Sequence, residues 1–316
     1  VLALPFQYGS LSLANFFLGV QRPKLALTSG LAQVITNIVI SWFLMFGFGE
    51  FGGWGIKGAA MGTVVASAIG VAILLFYYLR TSSREMYQTD AFGIHRERMR
   101  IVLHVGIPRG ILTLSDMFFW TIAMVVYMGT FGTEHLAASA AMYAVVMLFA
   151  VPGDGVNEAL ITVVSFFRSR NREESAVGKL RSSLWINGGL AVILGILMFH
   201  FSERIVSWFS TDELVIRIGA TLFFFVPWLL MSEAVIASLD GWLTAFEDVR
   251  FSTQVTVVSS LLIVVAGGYL MQRYGASYGA LGIWLLITLN RMTVAACLHL
   301  RFRSGLWHSQ PLGSAG

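Results

Sequence analysis

Charge is the scarcest ingredient of this 316-residue chain: Asp, Glu, Lys and Arg make up 12% of it, against 56% hydrophobic residues. An ordinary soluble domain carries about 25% charged residues, so the composition excludes a water-soluble fold and leaves a polytopic helical membrane protein. Cysteine is nearly absent as well. The single Cys297 rules out an internal disulfide and a thiolate metal cluster. His95, His104, His135, His200, His299 and His308 are scattered over loops and span ends without a partner at metal-ligand spacing, which leaves metal and nucleophilic chemistry without the residues it needs.

Long apolar runs are what the chain has in plenty. A helix needs about 20 apolar residues to cross the hydrocarbon core. Nine stretches are predicted to do so, near residues 1–20, 25–47, 57–79, 105–128, 136–165, 183–200, 213–240, 252–271 and 279–300. Connections on one side of these spans hold fifteen Lys and Arg residues, from Arg22 to Arg303, whereas the other side holds only Lys57, Arg204 and Arg273. Basic loops resist translocation, so the first side is expected to be cytoplasmic and to carry the C-terminus. Read this way, the Arg-rich loops are topology signals, and no nucleic-acid partner is implied. The charged stretch 81–104, with Ser82, Ser83 and Gly93, is predicted as a cytoplasmic linker. It separates a three-helix lobe remainder over 1–80 from a six-helix lobe over 105–303, and 304–316 form a C-terminal tail.

The lobes repeat each other in part. Gln21-Arg22-Pro23 and Asp248-Val249-Arg250 each open a long span, and a Gly-rich outer turn follows. Gly55-Ile56-Lys57-Gly58 and Gly279-Ala280-Leu281-Gly282 then start a helix that returns to an Arg, Arg80 or Arg301. Many transporters are built from such repeats, with the substrate path between them. Because the second lobe places three spans ahead of its repeated part, an equal first lobe is expected to need on the order of 100 residues upstream of Val1.

Two carboxylates, Asp116 and Glu233, lie far inside apolar spans, Asp116 at roughly 17 Å from either end of its helix. A charge at that depth is unfavourable by roughly 2.5–3.5 kcal/mol or more, and acids kept there usually handle ions or substrate. The plainer alternative is structural pairing with Arg291, which is equally deep and sits beside Asn290. Asp154 and Glu158, four residues apart with Asn157 between them, share one helix face and either line a cleft or reach water. Asn37, Ser41 and Thr63 either coordinate or hold helices together. Trp120, four residues after Asp116, and Trp228 are candidates for stacking on a flat cation, or ordinary interfacial aromatics. Pro227, six residues before Glu233, removes a backbone hydrogen bond and marks a candidate hinge.

Several segments resemble the multidrug and toxic compound extrusion (MATE) family, within the larger superfamily that includes lipid-linked oligosaccharide flippases. Gly106-Ile107-Pro108 with Asp116 looks like the opening and acid of the family's seventh helix. Gly132-Thr133-Glu134 through Ala138 resembles the turn between its seventh and eighth helices, and Leu239-Asp240-Gly241 through Arg250 resembles the close of its tenth. Counting back from there, Glu233 falls where members with a sodium site carry a second acid. Asn37, Ser41 and Thr63 fall on polar positions of the fifth and sixth helices. The chain departs from the pattern at Phe166-Phe167-Arg168, at Asp154 and Glu158, and at Leu229, where the family has a Tyr.

The resemblance implies an all-α integral membrane protein, a two-lobe MATE-like bundle of which nine of about twelve helices are present. It implies a secondary active transporter and no enzyme: a multidrug antiporter that exports organic cations or other amphipathic compounds in exchange for H+ or Na+ by alternating access. No cofactor is implied beyond that ion, with Asp116 and Glu233 as its site, Na+ included. The expected setting is a monomer in the bilayer of a bacterial inner membrane. A flippase of the same superfamily needs cationic groups for a pyrophosphate, for which only Arg291 and Arg109 are at hand. A noncatalytic scaffold gives two deep acids no purpose.

Overall fold

The computed structural model describes residues 2–48, 51–80, 85–87, 93, 95–170 and 172–309. They fall into two compact units, Val1–His95 and Arg96–Gly316.

In the first unit α1 (Leu4–Gly19) is followed by α2 (Pro23–Phe46), a two-residue antiparallel pair of β1 (Gly47–Phe48) and β2 (Phe51–Gly52), and α3 (Ile56–Leu79). Pro23 suits the first turn of α2, where a missing N–H leaves nothing unsatisfied. A polar seam joins α2 to α3. Ser29, Gln33, Asn37 and Ser41 recur every fourth residue on α2 and meet Gly70, Ser67, Thr63 and Ala59 on α3. The backbones come close along it: a Cβ on Gly58 would stand 2.2 Å from the Leu44 carbonyl oxygen.

In the second unit α4 (Arg96–Thr121) runs on into a π-helical turn, Ile122–Tyr127. Next come α5 (Thr133–Arg168), α6 (Glu173–His200), the short α7 (Ser202–Val206) and α8 (Glu213–Leu222). A 3-10 turn, Phe223–Phe225, joins α8 to α9 (Val226–Ala245), with Pro227 in the first turn of α9. After α10 (Val249–Ser259) a second π turn, Ser260–Ala266, leads into α11 (Gly267–Tyr274), and α12 (Gly279–Ser304) closes the bundle. Helix α9 packs against α5, α6 and α12. Apolar clusters centred on Trp284, Phe223 and Met142, and on Trp242, Leu243 and Trp307, lie on either side of its polar middle. Tyr127 donates its hydroxyl to the Val265 carbonyl oxygen at 2.7 Å, tying the two π turns together.

Among the described residues eight helices are long and apolar enough to cross a membrane, where nine were expected. The difference is α1, whose 16 residues extend about 24 Å, less than the hydrocarbon thickness. Helices also run beyond their apolar stretches. Residues 96–104, expected in the linker, open α4, and 173–182 open α6, because Arg, Glu, Met and Lys favour helix once past the lipid. Of the expected linker, 81–84, 88–92 and 94 lie outside the described residues, as do 310–316 of the expected tail.

The repeat is visible in the backbone. Gln21 (φ 60°) and Glu247 (φ 65°) are both left-handed without being glycine. Each sits in the same helix-closing turn: Arg22 N–H donates to the Phe17 carbonyl and Gln21 N–H to Leu18, as Asp248 donates to Leu243 and Glu247 to Thr244. Gln21-Arg22-Pro23 therefore matches Glu247-Asp248-Val249, one residue earlier than the sequence pattern suggested. Gly55 (φ 57°, ψ −131°) and Gly279 (φ 53°, ψ −137°) open α3 and α12 in one conformation that only glycine adopts readily.

Candidate functional site

The middle of α12 carries Arg291, whose side chain is 13% exposed and reaches two other helices. Its Nη1 donates to Asp116 Oδ1 on α4 at 3.1 Å, and its Nη2 donates to Glu233 Oε2 on α9 at 3.0 Å. Nε donates to Glu233 Oε1, completing a two-point fork that matches a carboxylate. A guanidinium withdrawn from water is tolerable only when paired, and here one cation is shared by two anions. The space between the two acids, where a bound cation was expected, is thus taken by the protein's own positive charge.

A recess lies on each side of this clamp. The smaller, about 20 Å³, is lined by Asp116, Trp120, Ser260, Asn290 and Arg291, and Asn290 donates to Ser260 Oγ at 3.0 Å across it. Trp120 is held by Tyr143 and Trp284, with ring centroids at 4.7 and 6.1 Å. The larger, about 60 Å³, is bounded by Gly153, Asp154, Asn187 and Glu233 among apolar neighbours. One water needs about 10–15 Å³, so the first has room for a single water and the second for a few.

A second ion pair stands nearby, its acid buried and its guanidinium about one-third exposed. Arg109 of α4 donates to Asp240 Oδ2 of α9, while Ser252 Oγ donates to Asp240 Oδ1 at 2.7 Å. Asp154 and Glu158 lie within electrostatic reach of Arg109, and Asp154 also of Glu233. The polar middle of this unit therefore sets five carboxylates, Asp116, Asp154, Glu158, Glu233 and Asp240, against two guanidiniums.

The sequence candidates separate accordingly. Asp116, Glu233, Arg291, Asn290 and Trp120 come together, with Asp154 on the far side of Glu233. Asp154 and Glu158 are both exposed, whereas Asn157 between them is buried and packs on Gly241. Trp228 is 54% exposed and lines neither recess. Asn37, Ser41 and Thr63 belong to the first unit, where Asn37 donates to Thr63 Oγ1 at 3.2 Å and Ser41 to the Ala59 carbonyl at 3.4 Å. Pro227 follows the 3-10 turn and touches Gly195 of α6, where a Cβ would stand 2.9 Å from Pro227 Cα. Sequence reasoning missed Asn187, whose neutral side chain resembles any interhelical amide, and the Arg109–Asp240 pair, whose acid was read only as part of a motif. Among the described residues no three His, Cys, Asp or Glu side chains converge as a metal cage.

The MatE family profile matches residues 111–270. The chain is 26% identical over 278 residues to a probable multidrug resistance protein NorM of Bacillus licheniformis, covering 86% of this chain and 60% of that protein. It is 20% identical over 293 residues to a probable multidrug resistance protein NorM of Photorhabdus laumondii, covering 90% and 64%. The chain thus spans somewhat less than two thirds of the length of these relatives. Among solved structures, a eukaryotic MATE transporter, AtDTX14, superposes with a TM-score of 0.80 at 19% identity over 97% of this chain and 68% of that one. An outward-facing MATE multidrug resistance transporter superposes with a TM-score of 0.81 at 18% identity over 93% and 65%. At these identities the structures establish a shared helical fold.

Proposed function

Because this chain belongs to the MatE family of multi-pass membrane transporters, and so is no enzyme, we propose that it exports amphipathic, chiefly cationic compounds in exchange for H+ or Na+ by alternating access. The observation that supports this most directly is the clamp in which Arg291 holds Asp116 and Glu233 together inside the second unit. Two carboxylates on one guanidinium leave an uncompensated negative charge. A proton, a sodium ion or an organic cation can meet that charge, but each meets the same one, and competition for a single charge is what turns two movements into an exchange. When the coupling ion neutralises one acid, Arg291 keeps the other, and the cluster no longer attracts a cationic substrate.

Pro227 is proposed as the hinge that lets Glu233 follow this change, since the 3-10 turn before it already interrupts the helical ladder. Trp120 is proposed to offer its ring to a flat cation beside Asp116. The proposed setting is a bacterial inner membrane with the C-terminus inside, the protein acting as a monomer. A flippase is not favoured, because Arg109 and Arg291, the cations a pyrophosphate would need, are each committed to carboxylates.

The test is efflux of ethidium from cells lacking their own pumps. Asp116→Asn and Glu233→Gln are each expected to abolish ethidium efflux while membrane levels of the protein stay normal. Efflux unchanged in both variants would overturn the reading.

A further inference from the structure

We infer that a basic recess of the first unit, between the first turn of α2 and the last turn of α3, binds the headgroup of an anionic phospholipid. The recess holds about 680 Å³, and Gln21, Arg22, Lys24, Leu25, Tyr77 and Arg80 line it. Pockets that take small organic ligands run to roughly 300–1,000 Å³. It lies at the helix ends proposed to face the cytoplasm, and the inference stands apart from the antiporter reading.

The second unit shows the same turn neutralised by the chain itself. There Asp248 accepts from Arg301 Nε at 2.8 Å, and Glu247 accepts from Arg168 Nη1 at 3.3 Å. In the first unit Gln21 and Arg22 stand in the places of those two acids. Tyr77, 22 residues beyond Gly55, stands where Arg301 lies 22 residues beyond Gly279. Lys24 matches another base, Arg250, so the change of sign comes from the lost acids. Among the described residues, Arg22, Lys24 and Arg80 form no ion pair with a carboxylate. Arg22 is half-buried, and the groups that meet its guanidinium carry no charge: Met86 Sδ at 3.8 Å from Nη2, and the Tyr87 ring, whose centroid is 5.7 Å from Cζ. A basic loop that only directs insertion needs no recess. Cations gathered around one, with the acids of the repeat removed, call for an anion from outside.

The lining identifies that anion as a phosphate ester carried on a lipid. A guanidinium fork matches two phosphate oxygens, and Lys24 adds a point charge. Basic recesses between span ends are where anionic headgroups dock. The position favours a lipid over free phosphate, because the recess straddles the edge of the hydrocarbon. Leu25 lines it, α2 continues from there as Ala26-Leu27, and α3 arrives through Leu74-Leu75-Phe76. Leu27 and Phe76 are 63% and 65% exposed, so apolar surface lies beside the charged lining. A ligand anionic at one end and apolar at the other satisfies both.

The test titrates phosphatidylglycerol into the purified full-length protein in detergent and counts bound lipid by native mass spectrometry, with phosphatidylcholine and inorganic phosphate as parallel arms. Phosphatidylglycerol is expected to bind about tenfold or more tighter than phosphatidylcholine and to stay bound in excess inorganic phosphate. Each cation at the membrane surface accounts for about a fivefold change in affinity, so Arg22→Gln with Arg80→Gln should weaken binding about twentyfold. Lys179→Gln with Arg181→Gln, which removes two exposed cations of α6 outside the recess, should leave it within about twofold of the parent. Should the first double variant fail to yield monodisperse protein, Arg80→Gln alone, at an exposed position, decides with about a fivefold loss. Equal losses in the two double variants would mean diffuse attraction to the whole basic surface and overturn the proposal. So would equal binding of the two lipids, or no loss in Arg80→Gln. Displacement of the lipid by inorganic phosphate would make the recess a site for free anions and overturn it as well.

Discussion

Twelve residues beyond Gly55, α3 carries Ser67, which accepts a hydrogen bond from Gln33 at 3.3 Å and donates to the Thr63 carbonyl at 2.8 Å. Twelve residues beyond Gly279, at the equivalent place in α12, stands Arg291, which reaches Glu233 and Asp116 on two different helices. The helix-opening glycines share their dihedral angles, and both positions face the interior of their unit. One backbone plan thus supports a neutral seam in the first unit and an ionic clamp in the second. The neutral pair joins neighbouring helices by bonds that are complete in themselves, whereas the clamp has more anions than cations. An excess of anions over cations is what the proposed exchange of cations requires, and the first unit's seam has none.

The largest effect that would break this comparison is removal of the guanidinium. Arg291→Met leaves two carboxylates unpaired and is expected to lower stability by on the order of 3 kcal/mol, read as a fall in the melting temperature of the detergent-solubilised protein. Adding Glu233→Gln to Arg291→Met should recover part of the loss, because the unpaired charge is then gone. Ser67→Ala should shift the same melting curve far less. If the two single variants prove equal, the clamp is only another seam.

The paired glycines give the next test. Gly58 and Gly282 are repeat equivalents. A Cβ on Gly58 meets the Leu44 carbonyl backbone at 2.2 Å, while one on Gly282 meets the flexible Met271 side chain at 2.8 Å. Gly58→Ala is therefore expected to destabilise by roughly 1–3 kcal/mol and Gly282→Ala by clearly less, as compared by limited proteolysis of each variant. Asn37→Leu, which removes one seam hydrogen bond, should lower stability by about 0.6–1 kcal/mol and leave ethidium efflux near the parent level. Loss of efflux with stability retained would move Asn37 from the seam into the transport path. The smallest change is Gln21→Gly. It relieves a left-handed backbone and is expected to stabilise by at most about 1 kcal/mol in urea titration, whereas Glu247→Gly also gives up the 3.3 Å contact with Arg168 and should gain nothing.

The sequence made the spans legible because a lipid-crossing helix is declared by composition over about 20 residues, and no distant contact is needed to recognise it. Asp116, Glu233 and Arg291 were legible for a related reason, since charge at that depth stands out against its neighbours. How they combine was not legible. Arg291 lies 58 residues from Glu233 and 175 from Asp116, and nothing local chooses between a clamp and separate sites. Asn187 was hidden because an amide in a span reads the same whether its oxygen is bonded or bare. Helix ends were misjudged wherever charged but helix-favouring residues continued a span, as at Arg96 and Glu173.

The paired π turns carry a consequence for tolerance to deletion. Removing a residue from a regular α-helix turns everything beyond it by about 100° and draws it back 1.5 Å, which would point Arg291 or Glu233 away from their partners. A π turn already holds one residue more than the α-helical path needs. Within Ile122–Tyr127 or Ser260–Ala266 a single deletion can be absorbed by tightening that turn to α, with the flanking faces left where they were. Within the spans, these two turns are therefore where loss of one residue is expected to be tolerated best.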